Sequence, residues 1–154
     1  MRTESQSSSS GSAAADPATP KCANADLKAG YRATEAGAGS RFGEITLTNV
    51  SGHACSLGGF GGLSYVGRGD GTQIGAPAKR EGSWRTVILK PGQVAVSVVA
   101  ESTAENYPAS DCKPAKVDGF RVYVPDSYDS QFVPHETTGC QNKRVQLLSH
   151  RAFG

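Results

Sequence analysis

Apolar and polar residues alternate along several short stretches of this chain, which is the pattern of β-strands with one buried face. The clearest stretch is residues 44–50, where Ile45 and Leu47 alternate with polar neighbours. Residues 63–66 repeat the pattern more weakly, and Asp70-Gly71 then supplies residues that tolerate the positive φ of a tight hairpin. This region therefore predicts two strands separated by a cysteine and a run of glycines.

A second pair of strands is predicted on either side of Pro91-Gly92. Proline presets φ for the second position of a type II turn and glycine accepts the positive φ of the third, so residues 85–89 and 94–99 are expected to form a hairpin. Three valines of the second arm fall on one face: Val94, Val96 and Val98. Their density indicates a strand buried on one side and partly covered on the other.

The remaining predicted strands are shorter or less regular. They are an edge strand at residues 25–33, a strand at 117–124 with Phe120, Val122 and Val124 inward, a return strand at 131–133 and a closing strand at 143–149. Polar or glycine-rich connections are expected between them, at residues 35–41, 73–83 and 101–113. The pattern indicates no helix, and seven or eight short strands are typical of an antiparallel β-sandwich.

Composition changes this picture at the N-terminus. Residues 1–20 carry no large apolar side chain apart from Met1, so they predict a disordered linker rich in Ser, Gly, Ala and Pro. Residues 21–154 are then a single β-sandwich domain, long enough to bury a core. The net charge of +2 comes from scattered basic residues, which argues against nucleic acid as a partner. We expect neither a signal peptide nor a transmembrane segment in this chain.

The four cysteines indicate the redox compartment. Cys22, Cys55, Cys112 and Cys140 are widely spaced and include no C-x-x-C pair, which favours two disulfides in an exported protein over a zinc site. If the first strand lies antiparallel to the central one, Cys22 comes beside Cys55, which selects Cys22–Cys55 and Cys112–Cys140 among the possible pairings. We expect a protein that is secreted or anchored to the outer face of the cytoplasmic membrane, with a signal sequence or lipid anchor upstream of the linker.

The chain from Cys22 to its C-terminus resembles the actinobacterial family called domain of unknown function 4232. The resemblance rests on LTN-S-G-x-x-C-x-L-x-G at residues 47–59, on L-x-P-G at residues 89–92 and on the placement of all four cysteines. It implies an immunoglobulin-like sandwich in a secreted protein or lipoprotein of the cell envelope, and it implies no activity or catalytic residue. Gly59-Phe60-Gly61 departs from the family's glycine-aromatic-proline, which is expected to loosen this loop.

No catalytic site is expected. The three histidines, His53, His135 and His150, lie in predicted loops or near the terminus, where exposed histidine is usual, and no G-x-S-x-G motif supplies a nucleophile. Two carboxylate pairs lack an apolar pocket that would raise a pKa for acid–base chemistry: Glu101 with Glu105, and Asp126 with Asp129. We therefore predict no enzymatic activity, no metal and no cofactor.

Four further motifs have simpler structural interpretations. Arg68-Gly69-Asp70 matches an adhesion tripeptide but is explained as a charged hairpin tip. Asn49-Val50-Ser51 is a glycosylation sequon without meaning in a bacterial host, and the acidic turn at residues 126–129 lacks the ligand spacing of a calcium loop. Residues 57–62 are expected to form a bulged loop whose Phe60 plugs the end of the sandwich, because a phosphate-binding loop would need a following helix.

These observations leave two main classes of function. We expect foremost a monomeric, non-catalytic extracellular or cell-envelope domain whose loops bind an unknown protein or cell-wall component. The alternative is a secreted protease inhibitor, which glycine-rich loops disfavour because an inhibitory loop should be stiff. An enzyme is the third possibility.

Trp84 is expected to be a core or rim anchor. A cluster of exposed rings would locate the binding face, and the candidates are Phe60, Tyr65, Tyr107, Tyr123 and Tyr128.

Overall fold

Two β-sheets lie face to face in the computed structural model, which describes residues 19–154. Side chains of both sheets form one core, with Ile45 and Leu47 from one sheet and Phe120 and Val122 from the other. The linker predicted at residues 1–20 lies outside the described residues, apart from its last two positions. The fold is therefore all-β, as the alternation of the sequence predicted.

Eleven strands make up most of this described part of the chain: β1 (Leu27–Gly37), β2 (Ser40–Asn49), β3 (Cys55–Leu57), β4 (Gly62–Gly67), β5 (Thr72–Ile74), β6 (Lys79–Glu81), β7 (Val87–Leu89), β8 (Val94–Ser102), β9 (Pro114–Tyr123), β10 (Ser130–Cys140) and β11 (Leu148–Arg151). Helical structure between residues 19 and 154 is limited to single turns, which are α1 (Ala109–Cys112) and 3-10 turns at Asn24–Asp26 and Ala104–Asn106. The strand count exceeds the seven or eight predicted because the prediction lacked β3, β5 and β6, which are only three residues long.

The larger sheet has the strand order β1-β2-β8-β11-β6, and the sheet facing it has the order β10-β9-β4-β5. β3 and β7 form a separate two-stranded ribbon. The pairs within these sheets are antiparallel, except that β11 runs parallel to β6. The edge strands β1 and β10 contact each other, so the two sheets meet along one side of the sandwich.

Strands with one clearly apolar face were predicted correctly. β2 contains the predicted central strand, and its Ile45 and Leu47 are buried while their neighbours in sequence are half-buried. β1 is the predicted edge strand and runs antiparallel to β2, with Leu27 opposite Asn49. β9 likewise buries Phe120 as expected. In each case the alternation is local to the strand, so the sequence alone reveals it.

The loop predicted at residues 35–41 is wrong. β1 and β2 continue to a two-residue turn at Ala38-Gly39, and Gly37 pairs with Ser40. Gly39 has a φ of 79°, which glycine adopts without strain because it has no Cβ. The small residues that suggested a loop are therefore the tip of a long β-ribbon.

The hairpin predicted around Pro91-Gly92 is also wrong, although the turn itself forms. Gly92 has a φ of 85°, and the Gln93 N–H donates to the Lys90 carbonyl at 2.9 Å. The strands on its two sides do not pair with each other, because β7 joins β3 while β8 lies between β2 and β11. A tight turn depends on a few adjacent residues, whereas strand pairing depends on the whole sheet.

β8 turns its valine face outward. Ala95, Ser97 and Val99 are buried, whereas Val94 and Val98 are 47% and 44% exposed. The small inward side chains leave room for the large aromatic residues of the facing sheet, so the density of valine did not indicate the buried face.

Several boundaries after β4 also differ from the prediction. The return strand predicted at residues 131–133 is the eleven-residue strand β10, and the closing strand predicted at 143–149 is β11 at the chain's end. The connection predicted at residues 73–83 contains the end of β5 and the whole of β6. All three residues of β6 are exposed, so no inward apolar side chain marked this strand in the sequence.

Two disulfides fasten the ends of the sandwich, Cys22–Cys55 and Cys112–Cys140. The first joins the segment before β1 to β3, and the second joins α1 to the end of β10. All four cysteines are buried. This is the pairing expected when the first strand runs antiparallel to the central one.

Removing the second disulfide is expected to destabilise the protein. The bonds close loops with sequence separations of 33 and 28 residues, each of which is worth about 3–4 kcal/mol in the chain-entropy model. The double substitution of Cys112→Ala and Cys140→Ala should therefore lower the free energy of unfolding by about 3 kcal/mol or more. Urea denaturation under oxidising conditions measures this loss, and an unchanged midpoint would contradict it.

Candidate functional site

Four aromatic side chains from separate parts of the chain line one open groove. They are Phe60 between β3 and β4, Trp84 between β6 and β7, and Tyr123 and Tyr128 at and after the end of β9. Trp84 is 58% exposed and Tyr128 is 99% exposed, while the other two are half-buried. The groove has a volume of about 760 Å³ and is named the aromatic groove below.

Glycines bring the two walls of the aromatic groove together. Gly62 lies opposite Tyr123 where β4 pairs with β9. A Cβ atom at Gly61 would overlap the Tyr123 carbonyl oxygen, and its φ of +65° is strained for other residues. A Cβ atom at Gly58 would lie only 2.9 Å from the ring of Trp84. The glycines therefore allow the main chain of Tyr123 and the ring of Trp84 to lie close against this loop.

Hydrogen bonds fix the loop that forms one wall of the groove. Arg80 donates to the Gly61 carbonyl at 2.6 Å, and its guanidinium carbon lies 5.8 Å from the centre of the Phe60 ring. The Phe153 N–H donates to the Gly59 carbonyl at 3.0 Å. The loop is therefore tied to two other parts of the chain despite its glycine content.

The charged residues of the groove interact with other protein groups. The Lys21 ammonium group lies 3.5 Å from the Asp126 carboxylate across the rim. Both side chains are largely exposed, so the pair contributes little to stability, but it places opposite charges side by side. Arg80, the other cation of the lining, is bound to the loop as described above.

The inner side of Phe60 packs against His150, with ring centres 5.8 Å apart and planes at 72°. Burial, together with the charge of Arg80, lowers the pKa of His150 to about 4, so its imidazole is neutral at pH 7. Its Nδ1 lies 3.3 Å from the Ser97 hydroxyl, which donates to the Arg151 carbonyl at 2.6 Å. The prediction that His150 is exposed is wrong, and this serine–histidine pair is buried in the core.

The predicted places of the other aromatic residues are partly wrong. Trp84 was expected to be an anchor of the core or rim, but most of its side chain is exposed in the groove. Tyr65 is buried, and Tyr107 packs against the core, so neither belongs to the cluster formed by Tyr123 and Tyr128. One sequence signal could have indicated that Trp84 is exposed. Its neighbours in sequence are Gly, Ser and Arg, so no adjacent apolar residue belongs to a buried strand with it.

A second group of polar side chains surrounds the carboxylate of Glu101, which lies on β8 and is 1% exposed. The hydroxyl of Tyr65 donates to it, and that of Tyr31 donates at 3.2 Å. His135 Nε2 lies 2.9 Å from this carboxylate, and the Arg41 guanidinium lies 3.4 Å from it. These five residues are named the Glu101 cluster.

Burial and hydrogen bonding shift the pKa of Glu101 in opposite directions. Desolvation raises it, whereas hydrogen bonds from His135 and Tyr65 and the positive charges nearby lower it, and the resulting pKa is below the usual value. Burial and the Glu101 charge raise the pKa of Tyr31 to about 12 and raise that of Tyr65 as well. At neutral pH the carboxylate is therefore ionised and both tyrosines are neutral donors.

The Glu101 cluster joins the two sheets. Tyr31 and Arg41 lie on the same sheet as Glu101, while Tyr65 and His135 lie on the facing sheet. The predictions that His135 lies in a loop and that Glu101 begins a polar connection are both wrong, because His135 lies on β10 and Glu101 on β8. His135 and Glu101 are 34 positions apart in the sequence, so no local motif indicates their contact. Among the hydrogen bonds of residues 19–154, His135 bonds through its ring to Glu101 and to no serine or cysteine.

The other sequence motifs are explained by their hydrogen bonds. Asp70 accepts from the Thr72 N–H at 3.0 Å and from its hydroxyl at 2.6 Å, so the adhesion-like tripeptide forms the tip of the β4–β5 hairpin. Asn49 of the sequon is buried, and its amide donates to the carbonyls of exposed His53 and buried Leu89. Between residues 19 and 154, no three His, Cys, Asp or Glu side chains are close enough together to hold a metal ion.

Replacing Glu101 with glutamine is expected to destabilise the protein at neutral pH. Glutamine has no negative charge to attract the Arg41 guanidinium or to strengthen the hydrogen bonds from Tyr31 and Tyr65, and hydrogen bonds to a charged group contribute about 1.5–3 kcal/mol. Because the pKa of Glu101 lies below 4.5 in the folded state, its stabilisation is present above that pH and is lost as the pH falls through the folded value. Urea denaturation at pH 7 and pH 3 measures the difference.

Glu105→Gln is the matched control, because Glu105 is exposed in the 3-10 turn that follows β8. It should change the free energy of unfolding by less than about 0.5 kcal/mol. An E101Q variant as stable as the wild type at pH 7, or a deficit that grows between pH 7 and pH 3, would exclude the role assigned to the carboxylate.

Gly61→Ala is expected to disrupt the aromatic groove. The added Cβ atom would overlap the Tyr123 carbonyl oxygen, and alanine at positive φ costs about 1–2 kcal/mol, so a loss of about 2 kcal/mol or more should follow. Gly52→Ala is the control, because no atom lies within 4 Å of a Cβ there and its φ is not positive. Thermal or urea unfolding compares the variants, and equal stabilities would show that Gly61 is not required.

No curated protein and no solved structure matches this chain. The family described as "Domain of unknown function (DUF4232)" matches residues 22–153. The matched region begins at the first cysteine, ends at the buried Phe153, and contains both disulfides and the four aromatic residues of the groove. The chain therefore belongs to the DUF4232 family.

Proposed function

We propose that this protein is a non-catalytic binding domain that acts outside the cytoplasm and holds its ligand in the aromatic groove. The observation that carries this proposal is the exposure of Trp84 and Tyr128, whose rings stand largely in solvent within the same groove. Leaving apolar surface exposed forgoes roughly 25 cal/mol per Å² of burial. Groups of large exposed rings are accordingly typical of binding surfaces, where a ligand supplies the missing cover.

The walls of the groove support this proposal because their shape does not depend on a ligand. Arg80 and Phe153 hold the loop on one side through its carbonyl groups. On the other side the Ser127 N–H donates to the Val124 carbonyl at 3.1 Å, which closes the turn that carries Tyr128. A preformed site loses little conformational entropy on binding, so more of the contact energy becomes affinity.

The proposed location is the exported compartment. Both pairs of cysteines form disulfides, and such bonds persist in oxidising environments. Within residues 19–154 no helix has both the length and the apolar character needed to cross a bilayer. In this proposal the protein is secreted, or held at the outer face of the membrane by a lipid anchor upstream of residues 1–20, and as a monomer contacts a cell-wall component or another envelope protein.

Protease inhibition is less well supported. An inhibitory loop must project so that it can enter a protease cleft, whereas the glycine-rich loop at residues 58–62 forms the wall of a groove.

Catalysis is also less well supported, because Ser97 and His150 are buried and the Ser97 hydroxyl donates a hydrogen bond to a main-chain carbonyl. A concave surface with exposed rings favours binding over both alternatives.

Substitution of the exposed rings tests this function. Cell walls isolated from a Gram-positive bacterium, with their attached polymers and proteins retained, are the probe, and co-sedimentation measures binding of the full chain. Trp84→Ala and Tyr128→Ala should each weaken binding about tenfold or more, because each removes a ring that contacts the ligand directly. Both variants should fold normally, since neither side chain is part of the core.

Phe132→Ala is the matched control. Phe132 is 57% exposed, almost the same as Trp84, but it lies on β10 and outside the aromatic groove. Its substitution should leave binding to the walls within about twofold of the wild type. Loss of binding in the Phe132 variant that equals the loss in the Trp84 variant would disprove the proposed function, as would a wild-type chain that does not bind.

A further inference from the structure

Building on the proposed function, we propose that the aromatic groove binds a neutral glycan chain by stacking its sugar rings on the exposed aromatic side chains. The chemistry of the groove, the pairing of its charges and the hydrogen-bonded edges of β4 beside it lead to this ligand class. Each is a property of described residues and is independent of the others.

The chemistry of the groove matches the surface of a pyranose ring. Such a ring presents C–H groups on its faces and hydroxyl groups around its edge, so it needs an apolar platform bordered by donors and acceptors. Trp84, Tyr123 and Tyr128 provide rings, and each carries its own polar group at one end. Asp126 and Ser127 in the same wall add a carboxylate and a hydroxyl.

The charges of the groove favour an uncharged ligand. Lys21 and Asp126 lie 3.5 Å apart, so neither charge is left alone to attract an ion. The remaining cation, Arg80, donates to a carbonyl of the wall and lies over Phe60. A charged ligand would have to compete with the paired Lys21 and Asp126 for its partner charge, whereas hydroxyl groups can bond around these contacts.

The strand beside the groove is not available to an extended peptide. β4 begins at Gly62 in the wall of the groove, and one edge of it pairs with β9. On the other edge the Ala78 N–H donates to the Leu63 carbonyl at 2.8 Å. A peptide that adds a strand needs unpaired main-chain groups, and here both edges of β4 already make main-chain hydrogen bonds.

The size and shape of the groove suit a chain rather than a single sugar. Its 760 Å³ are open to solvent and receive residues from four separated segments, around 21, 58–62, 80–84 and 123–128. Several sugar rings fit side by side in this space, and both ends of a longer glycan can continue into solvent. The groove is therefore expected to bind the interior of a polysaccharide as well as a short oligosaccharide.

Trp84 is the only tryptophan, so the fluorescence of the full chain reports on the groove directly. The probes are four neutral hexasaccharides, of glucose linked β-1,4, glucose linked β-1,3, mannose linked β-1,4 and N-acetylglucosamine linked β-1,4. At least one should change the emission of Trp84 in a saturable way. Tyr128→Ala should weaken that binding about tenfold or more, and Phe132→Ala should leave it within about twofold.

Salt provides a second readout. Because a neutral ligand releases no counterions, its affinity should change less than about twofold between 0.05 and 0.5 M NaCl. A steep loss of affinity with salt would contradict the assignment of an uncharged ligand.

Two further probes separate this proposal from the function on which it rests. Decaproline represents a peptide that docks on aromatic grooves, and a hexamer of galacturonate represents an acidic glycan. The proposed neutral glycan is wrong, and the binding function stands, if walls bind in a manner sensitive to Trp84→Ala but no neutral hexasaccharide binds. The same holds if decaproline or the galacturonate hexamer binds and the neutral hexasaccharides do not. If wall binding is also insensitive to that substitution, both proposals fail.

Discussion

The buried carboxylate of Glu101 is the constraint on which the arrangement of the two sheets depends. An ionised group inside a sandwich must be matched by hydrogen-bond partners and positive charge. Here the hydrogen-bond partners come from both sheets, and the Arg41 guanidinium supplies the positive charge. Tyr65 reaches Glu101 from β4 and also stacks with Phe120 of β9, with ring centres 5.5 Å apart. The position of the β4–β9 pair relative to β8 is therefore fixed by one carboxylate as well as by apolar contacts.

The β4–β9 pair connects the Glu101 cluster to the aromatic groove. Tyr65 is opposite Phe120 in the ladder, and Gly62 is opposite Tyr123 three residues along, which is roughly 10 Å in a β-strand. The Cys22–Cys55 bond acts from the other side, because Cys22 follows the Lys21 of the rim and Cys55 lies just before the glycine-rich loop. The main chain that forms the walls of the groove is thus connected to an internal charge network on one side and to a covalent bond on the other.

Sequence patterns revealed those features of the fold that depend on neighbouring residues. Period-two alternation identified β2 and β9, and Pro91-Gly92 identified a turn, because each signal is complete within a few positions. The partner of β8 and its inward face could not be obtained in this way. They depend on which strands surround β8 and on the large rings of the facing sheet, so a run of valines indicated a strand without indicating its orientation.

The aromatic groove could not be predicted from the sequence because it also depends on how the strands are arranged. Phe60, Trp84 and Tyr128 stand in three connections, and only the order of the strands brings those connections to one end of the sandwich. The two walls of the groove also depend on each other, because the main chain of Tyr123 can approach Gly61 only if residue 61 has no side chain. A glycine in this loop therefore serves the packing of β4 against β9 and the shape of the binding surface together. Substitutions there act on both, whereas substitution of an exposed ring such as Tyr128 acts on the surface alone.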